Sequence, residues 1–108
     1  MPGQVAHKVI MLACAGGMSS SLLVTKMQQA AAAAGEDVII FATGVSAAER
    51  VVAERHPDVL MIGPQVRYHI DSLRAKLDIP VAVIDMQDYG RMNGQRVLEA
   101  ALALIQDK

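Results

Sequence analysis

Unbroken apolar runs alternate with amphipathic segments along this chain. Lys8 to Ala13 reads KVIMLA, with no polar residue after the lysine, and Val38 to Ala42, Val59 to Ile62 and Val81 to Ile84 are aliphatic or β-branched almost throughout. Runs of this length without alternation predict strands covered on both faces, as in a parallel sheet.

The segments between them have helical spacing. After the first run, Leu23, Met27, Ala30 and Ala34 recur on one face and should meet the sheet, while Thr25, Lys26, Gln28 and Gln29 fall on the wet side. Ser19, Ser20 or Ser21 can cap this helix, and Gly35 ends it. Ser46 and Glu49 have capping-box spacing ahead of a short helix from about Ala47 to Arg55, with Ala48, Val51 and Val52 inward. Pro57 marks its stop. Gln65 opens a third helix with Val66, Ile70, Leu73 and Leu77 on its buried stripe. Asp85 to Gly90 reads as a polar loop or a single helical turn. Asn93 caps the last helix, whose Val97, Leu98, Ala101, Leu102 and Ile105 form an apolar face. Strand then helix, four times over, predicts an α/β domain: a four-stranded parallel sheet with right-handed crossovers and helices on both faces. Strand order 2-1-3-4 puts the first and third strands at the centre and brings the loop after Ala13 beside the Gly63–Pro64–Gln65 turn. Ligands of such sheets bind outside the carboxyl ends of the strands.

Bulk composition narrows the classes. The 108 residues suit one domain, 1–108, with residues 1–7 as a short leader. A hydrophobic content of 53% with 19% charged residues describes a folded globule. The formal net charge of -1 and a single Phe41 besides two tyrosines argue against nucleic acid as a partner. Neither a signal peptide before the first strand nor a run of the ~18 apolar residues a membrane helix needs is visible, so no direct membrane insertion is expected. A single cysteine makes neither an internal disulfide nor a thiolate zinc cage, and a reducing cytoplasm is its simplest home. His7, His56 and His69 are scattered without ligand spacing, so no metal or cofactor is expected.

That cysteine, Cys14, closes the first strand. Two glycines and three serines follow, Gly16, Gly17 and Ser19 to Ser21, and then the first helix. A helix N-terminus offers unpaired N–H groups and a positive dipole end, which cradle an anion and favour thiolate over thiol. The bland alternative is a small buried hydrophobe. No lysine stands where a nucleotide phosphate loop needs one, and the dinucleotide glycine fingerprint is absent. A thiol phosphatase loop runs Cys, five residues, then Arg; Ser20 occupies that arginine position, so the bidentate clamp for hydrolysis is missing.

Cys14 to Met27, CAGGMSSSLLVTKM, resembles the signature of the lactose/cellobiose-type enzyme IIB of the sugar phosphotransferase system, close to CSAGMSTSLLVxKM. Asp58-Val59-Leu60, Gly63-Pro64-Gln65-Val66-Arg67-Tyr68, Val83-Ile84-Asp85, Tyr89-Gly90, Gly94 and Val97-Leu98 are similar to later parts of that family. The likeness runs from about Lys8 to about Ile105, and its details look more like the cellobiose or chitobiose branch. Ala15 and Gly16 replace a Ser–Ala pair common in the family, which removes one hydroxyl near the cysteine.

The resemblance implies a fold like that of low-molecular-weight tyrosine phosphatases and a phosphocarrier function. Cys14 would take a phosphoryl group from a phosphohistidine of enzyme IIA. It would pass it to a sugar of the cellobiose, chitobiose or β-glucoside class on the membrane permease IIC. Ala15, Gly16, Gly17, Met18, Ser19, Ser20 and Ser21 would form the phosphate cradle. Gln65 either donates a hydrogen bond near the phosphate or caps the next helix. Tyr89 either covers the site or packs against the last helix, packing being favoured. Arg67 and Arg91 are read as solvated. Two rivals stand: a phosphatase-like hydrolase with Cys14 as nucleophile and Asp85 or Asp88 as acid, and a non-catalytic binding module in which Cys14 only packs.

Overall fold

The structure, a computed structural model, describes residues 8–15 and 18–106, and of residues 16–20 no side chain. The expected leader, residues 1–7, lies outside the described residues. Four strands, β1 (Lys8–Cys14), β2 (Val38–Gly44), β3 (Val59–Ile62) and β4 (Val81–Val83), pair in parallel in the order β2-β1-β3-β4. This is the predicted sheet and strand order.

Five helices connect and close the strands: α1 (Met18–Ala34), α2 (Ala48–Arg55), α3 (Ile70–Lys76), α4 (Met86–Gly90) and α5 (Gly94–Gln106). Alternation along β1 assigns them to two layers, because successive side chains of a strand point to opposite faces. Ile10, Leu12 and Cys14 join one buried cluster with Leu23, Met27 and Ala31 of α1 and Val97, Leu98 and Ala101 of α5. Met11 and Ala13 join the other with Ala48 of α2, Leu73 of α3 and, partly buried, Val51, Val52, Ile70 and Leu77.

Local chemistry explains most boundaries. Gly35, at φ 71°, takes the left-handed conformation that ends α1. Asn93 caps α5, its Oδ1 accepting from Arg96 N–H at 3.2 Å. Asp58 holds the start of β1: its Oδ2 accepts from Val9 N–H at 2.8 Å, and its own N–H donates to the Val9 carbonyl at 2.8 Å. Asp58→Ala leaves a part-buried N–H unpaired, at a cost of about 1–3 kcal/mol. A fall in melting temperature of about 5–15 °C is expected, since 1 kcal/mol moves a domain of this size by about 4–8 °C. An unchanged melting curve would show that the clamp contributes nothing.

Several expectations need correction. β2 continues through Thr43 and Gly44, because both stay paired with β1, Cys14 opposite Gly44. Ser46 and Glu49 form no capping box: Val45–Ala47 is a 3-10 turn, and neither it nor α2 has a side-chain cap. The segment after β3 starts as a 3-10 helix, Pro64–His69, with a non-helical Val66, and only Ile70–Lys76 is α-helical. Of the two readings of Asp85 to Gly90, the helical turn is the one present. Asp85 caps α4, its carboxylate accepting from the N–H groups of Gln87 at 2.9 Å and Asp88 at 3.1 Å. On α1 the buried line runs Leu23, Met27, Ala31. Ala30 is half-buried and Ala34 exposed, because both line a groove of about 390 Å³ that opens between α1 and α5.

Candidate functional site

Three chain segments meet at the carboxyl edge of the sheet around Cys14. β1 supplies the cysteine as its last residue, flanked by Gly44 at the end of β2 and Gly63 just past β3. α4, on its Asp85 cap, brings Tyr89 into the same buried cluster as Cys14. The turn after β3 supplies Gln65.

What a side chain at position 63 would meet is a matter of space rather than of backbone. Its φ of −61° is open to any residue, but a Cβ there would lie 3.2 Å from the Cys14 Sγ and 3.3 Å from the Gln65 Oε1. Those two figures also locate Gln65, whose amide oxygen lies over the same glycine as the sulfur. Beside it a shallow cleft of about 250 Å³ is lined by Pro64, Gln65, Arg67, Met86, Tyr89 and Gly90.

The thiol is 1% exposed and Tyr89 is 6% exposed. Burial pushes the Cys14 thiol up from its ordinary value. Hydrogen bonds from the Gly63 backbone and the Tyr89 side chain pull it down, and burial wins. This corrects the expectation of a thiolate activated by the helix end: in this conformation desolvation of the charged sulfur outweighs the donors around it. Alkylation of the native protein by iodoacetamide at pH 7 should therefore be slower than that of the urea-unfolded chain. Its rate should still be climbing beyond 9.0, the ordinary value for such a thiol. A native rate that levels off near neutral pH would contradict the burial argument.

The other predicted residues are placed as follows. Ala15 is an exposed bend residue and Ser21 is exposed on the first turns of α1. Gly16, Gly17 and the side chains of Met18, Ser19 and Ser20 lie outside the described residues. α1 begins at Met18, so Ser19 to Ser21 stand inside its first turns and none of them is the cap. The first N–H groups of a helix have no partner within it, and here they lie at the Met18 end of α1, on the side of Cys14. Gln65 is exposed and does not cap, since the 3-10 segment begins at Pro64 without a side-chain cap. Of the two readings weighed for Tyr89, packing is the one present: its ring lies in the buried cluster that holds Cys14 and the α5 residues Val97 and Leu98. The hydrogen bond of its side chain that lowers the Cys14 thiol was not read from the sequence, because the two residues are far apart in the chain and their shared place at strand carboxyl ends was the only signal.

The charged groups at this edge are engaged. Arg67 donates from Nη1 to the Pro64 carbonyl at 2.9 Å, so it is held against the turn rather than free in solvent. Asp85 caps α4, and Asp88 pairs with Arg96 at 3.5 Å. His69 stacks obliquely on Tyr68, ring centroids 4.5 Å apart. Among the described residues no His, Cys, Asp and Glu cluster is arranged to hold a metal ion. None of their helices is long and apolar enough to cross a membrane.

A parallel 2-1-3-4 sheet with a cysteine closing its first strand defines a class of small α/β domains, and relatives place the chain within it. The family model described as "PTS system, Lactose/Cellobiose specific IIB subunit" matches residues 9–100. The chain is 50% identical over 103 residues to the galactose-specific EIIB component of Lactococcus lactis subsp. cremoris (strain MG1363), covering 90% of this chain and 95% of that one. The figures are the same for the cellobiose-specific EIIB component of Lactococcus lactis subsp. lactis (strain IL1403). Among solved structures, the cellobiose-specific IIB component from Borrelia burgdorferi superposes with a TM-score of 0.78 at 32% identity, covering 95% of each chain. The chain belongs to the lactose/cellobiose IIB family of the sugar phosphotransferase system, and is a phosphotransferase component of that system.

Proposed function

We propose that Cys14 is the phosphoryl-carrying residue of this IIB component. The observation that carries the proposal is the position of the sulfur: at the end of a central strand, four residues before the start of α1, with the Gly63 backbone and the Tyr89 side chain hydrogen-bonded to it. The sulfur of Cys14, as thiolate, attacks the phosphorus of a phosphohistidine on enzyme IIA. The S–P bond forms, the P–N bond breaks, and the imidazole leaves with the electron pair and takes up a proton. The oxygen of a hydroxyl on a sugar held by the membrane permease IIC then attacks the phosphorus: the O–P bond forms, the S–P bond breaks, the sulfur leaves as thiolate with the electron pair, and the hydroxyl proton is released.

Ala15, Gly16, Gly17, Met18, Ser19, Ser20 and Ser21 form the cradle in this proposal. Free N–H groups at the start of α1 are suited to phosphate oxygens. No arginine stands at position 20, which suits a carrier that must not hydrolyse its own load. Because the sulfur is 1% exposed, its cover must shift before a donor histidine can reach it. Gln65, Met86 and Tyr89, around the adjacent cleft, form the rim in this scheme. The domain works in the cytoplasm, meeting the membrane only through IIC. The sugar class is that of cellobiose, chitobiose or other β-glucosides, supported by the cellobiose-specific relatives; the galactose-specific relative at equal identity marks how little of the choice this domain encodes.

The test is intact mass after mixing with phosphoenolpyruvate, the general phosphotransferase proteins and a cognate IIA. A single phosphoryl adduct, discharged when sugar and permease membranes are added, is the expected result. No adduct with steady hydrolysis of an aryl phosphate would replace the proposal with the hydrolase. No adduct and no hydrolysis would leave a binding module.

A further inference from the structure

Arg67 is a charge without a counter-charge. It is exposed on the 3-10 segment after β3, and with Gln65 it lines the cleft of about 250 Å³. The Gln65 Oε1 and the Cys14 Sγ lie within 3.3 Å of one point over Gly63, so this cleft adjoins the sulfur. The 2.9 Å bond from the Arg67 Nη1 to the Pro64 carbonyl holds the guanidinium in place without neutralising it. Among the described residues no carboxylate forms an ion pair with it, not even Asp71 one helical turn further on. Asp85 is spent on capping α4, and Asp88 on pairing with Arg96. A guanidinium fixed in advance loses little freedom when a carboxylate meets its remaining donors.

The surroundings have the composition of a protein interface. Tyr68, the next residue, is 75% exposed, and its ring stacks obliquely on His69. Met86 is 64% exposed and lines the same cleft as Arg67. Arg, Tyr and Met are residue types enriched where proteins meet. The cleft is smaller than the roughly 300–1,000 Å³ of clefts that bury a small molecule, but an acidic side chain fits its size.

The two partners of a carrier differ in charge. Cytoplasmic loops of membrane proteins carry an excess of Lys and Arg, and like charges facing each other across an interface are disfavoured. An arginine without a counter-charge therefore suits the phosphoryl donor rather than the permease. We propose that Arg67, together with Tyr68 and Met86, anchors the donor protein by pairing with a carboxylate next to the donor's phosphohistidine. The proposal rests on the carrier reading of Cys14, but binding of the unphosphorylated donor tests it without any transfer.

The experiment is titration calorimetry of the full chain with a cognate, unphosphorylated IIA. Arg67→Gln should raise Kd about tenfold, the size of one hydrogen bond to a charged group, and Arg67→Glu should raise it further. The gap between wild type and Arg67→Gln should narrow at high salt, because an exposed ion pair is screened. Tyr68→Ala, at a site too exposed to disturb the fold, should also weaken binding. In the transfer assay, the Arg67→Gln defect should appear in KM for phosphorylated IIA rather than in kcat. Equal Kd values for wild type and both Arg67 variants would overturn the proposal. So would a loss that is the same at every salt concentration, which a shifted Pro64 turn would produce. A loss confined to the phosphorylated donor would overturn it too, since the phosphoryl group and not a carboxylate would then be the ligand, as would a defect seen only in discharge to the permease. If wild type binds the donor through Arg67 yet takes up no phosphoryl group, the carrier reading fails and the docking surface stands.

Discussion

Cys14→Ser takes up no phosphoryl group under conditions that fully charge the wild type, and it melts within a few degrees of it. Both halves follow from the geometry. Serine fills almost the same volume at a position that is 1% exposed, so the sheet edge and the α1/α5 core keep their packing. The chemistry does not survive, because a buried hydroxyl has no accessible anion near neutral pH, whereas a thiol does even when burial raises it. Intact mass and a melting curve on the same preparation read both halves. A phosphoryl adduct on the serine protein, or one on wild type that maps by peptide digestion to another residue, would move the site away from Cys14.

Gly94→Val is expected to cost more of the fold than any other single change described. A Cβ at Gly94 would lie 2.4 Å from the Lys26 carbonyl carbon and 2.6 Å from the Met27 backbone nitrogen. These are main-chain atoms in the middle of α1, so no rotamer can relieve the overlap. The two helices must separate, and Met27, Val97 and Leu98 lose contact in one step. Overpacking usually costs about 1–3 kcal/mol, occasionally more, and a rigid backbone neighbour puts this site at or above the top of that range. Against a total stability of about 5–15 kcal/mol for a domain, the melting temperature should fall by at least about 10–20 °C. Gly94→Ala should show a smaller loss of the same sign. A variant as stable as wild type would mean that α1 and α5 do not cross so closely.

The fold was more legible in the chain than the site. Continuous apolar runs marked all four strands, β3 to the residue, because parallel strands are buried on both faces and carry no competing pattern. Helix ends were legible where a single residue decides them, as at Gly35 and Asn93. The end of a strand was misread where tertiary pairing overrides local preference, at Thr43 and Gly44, which remain in β2 because β1 continues beside them. Ser46 has the composition of a cap without the conformation of one.

At the site, Cys14 was legible from its position at a strand end. Its electrostatics were not: helix-dipole reasoning sees the charges along the chain, while burial depends on side chains from four elements that only the fold assembles. The Tyr89 hydroxyl, the parked Arg67 and the close approach at Gly94 are likewise pair properties without any periodic trace.

Gly63 offers a way to sort sister domains. Since a Cβ there would come 3.2 Å from the Cys14 Sγ and 3.3 Å from the Gln65 Oε1, a chain of this architecture that fills the position has to move the sulfur or the amide by a few tenths of an ångström. Sequences that share the architecture can therefore be divided at this one position into those that leave the space beside the cysteine open and those that close it.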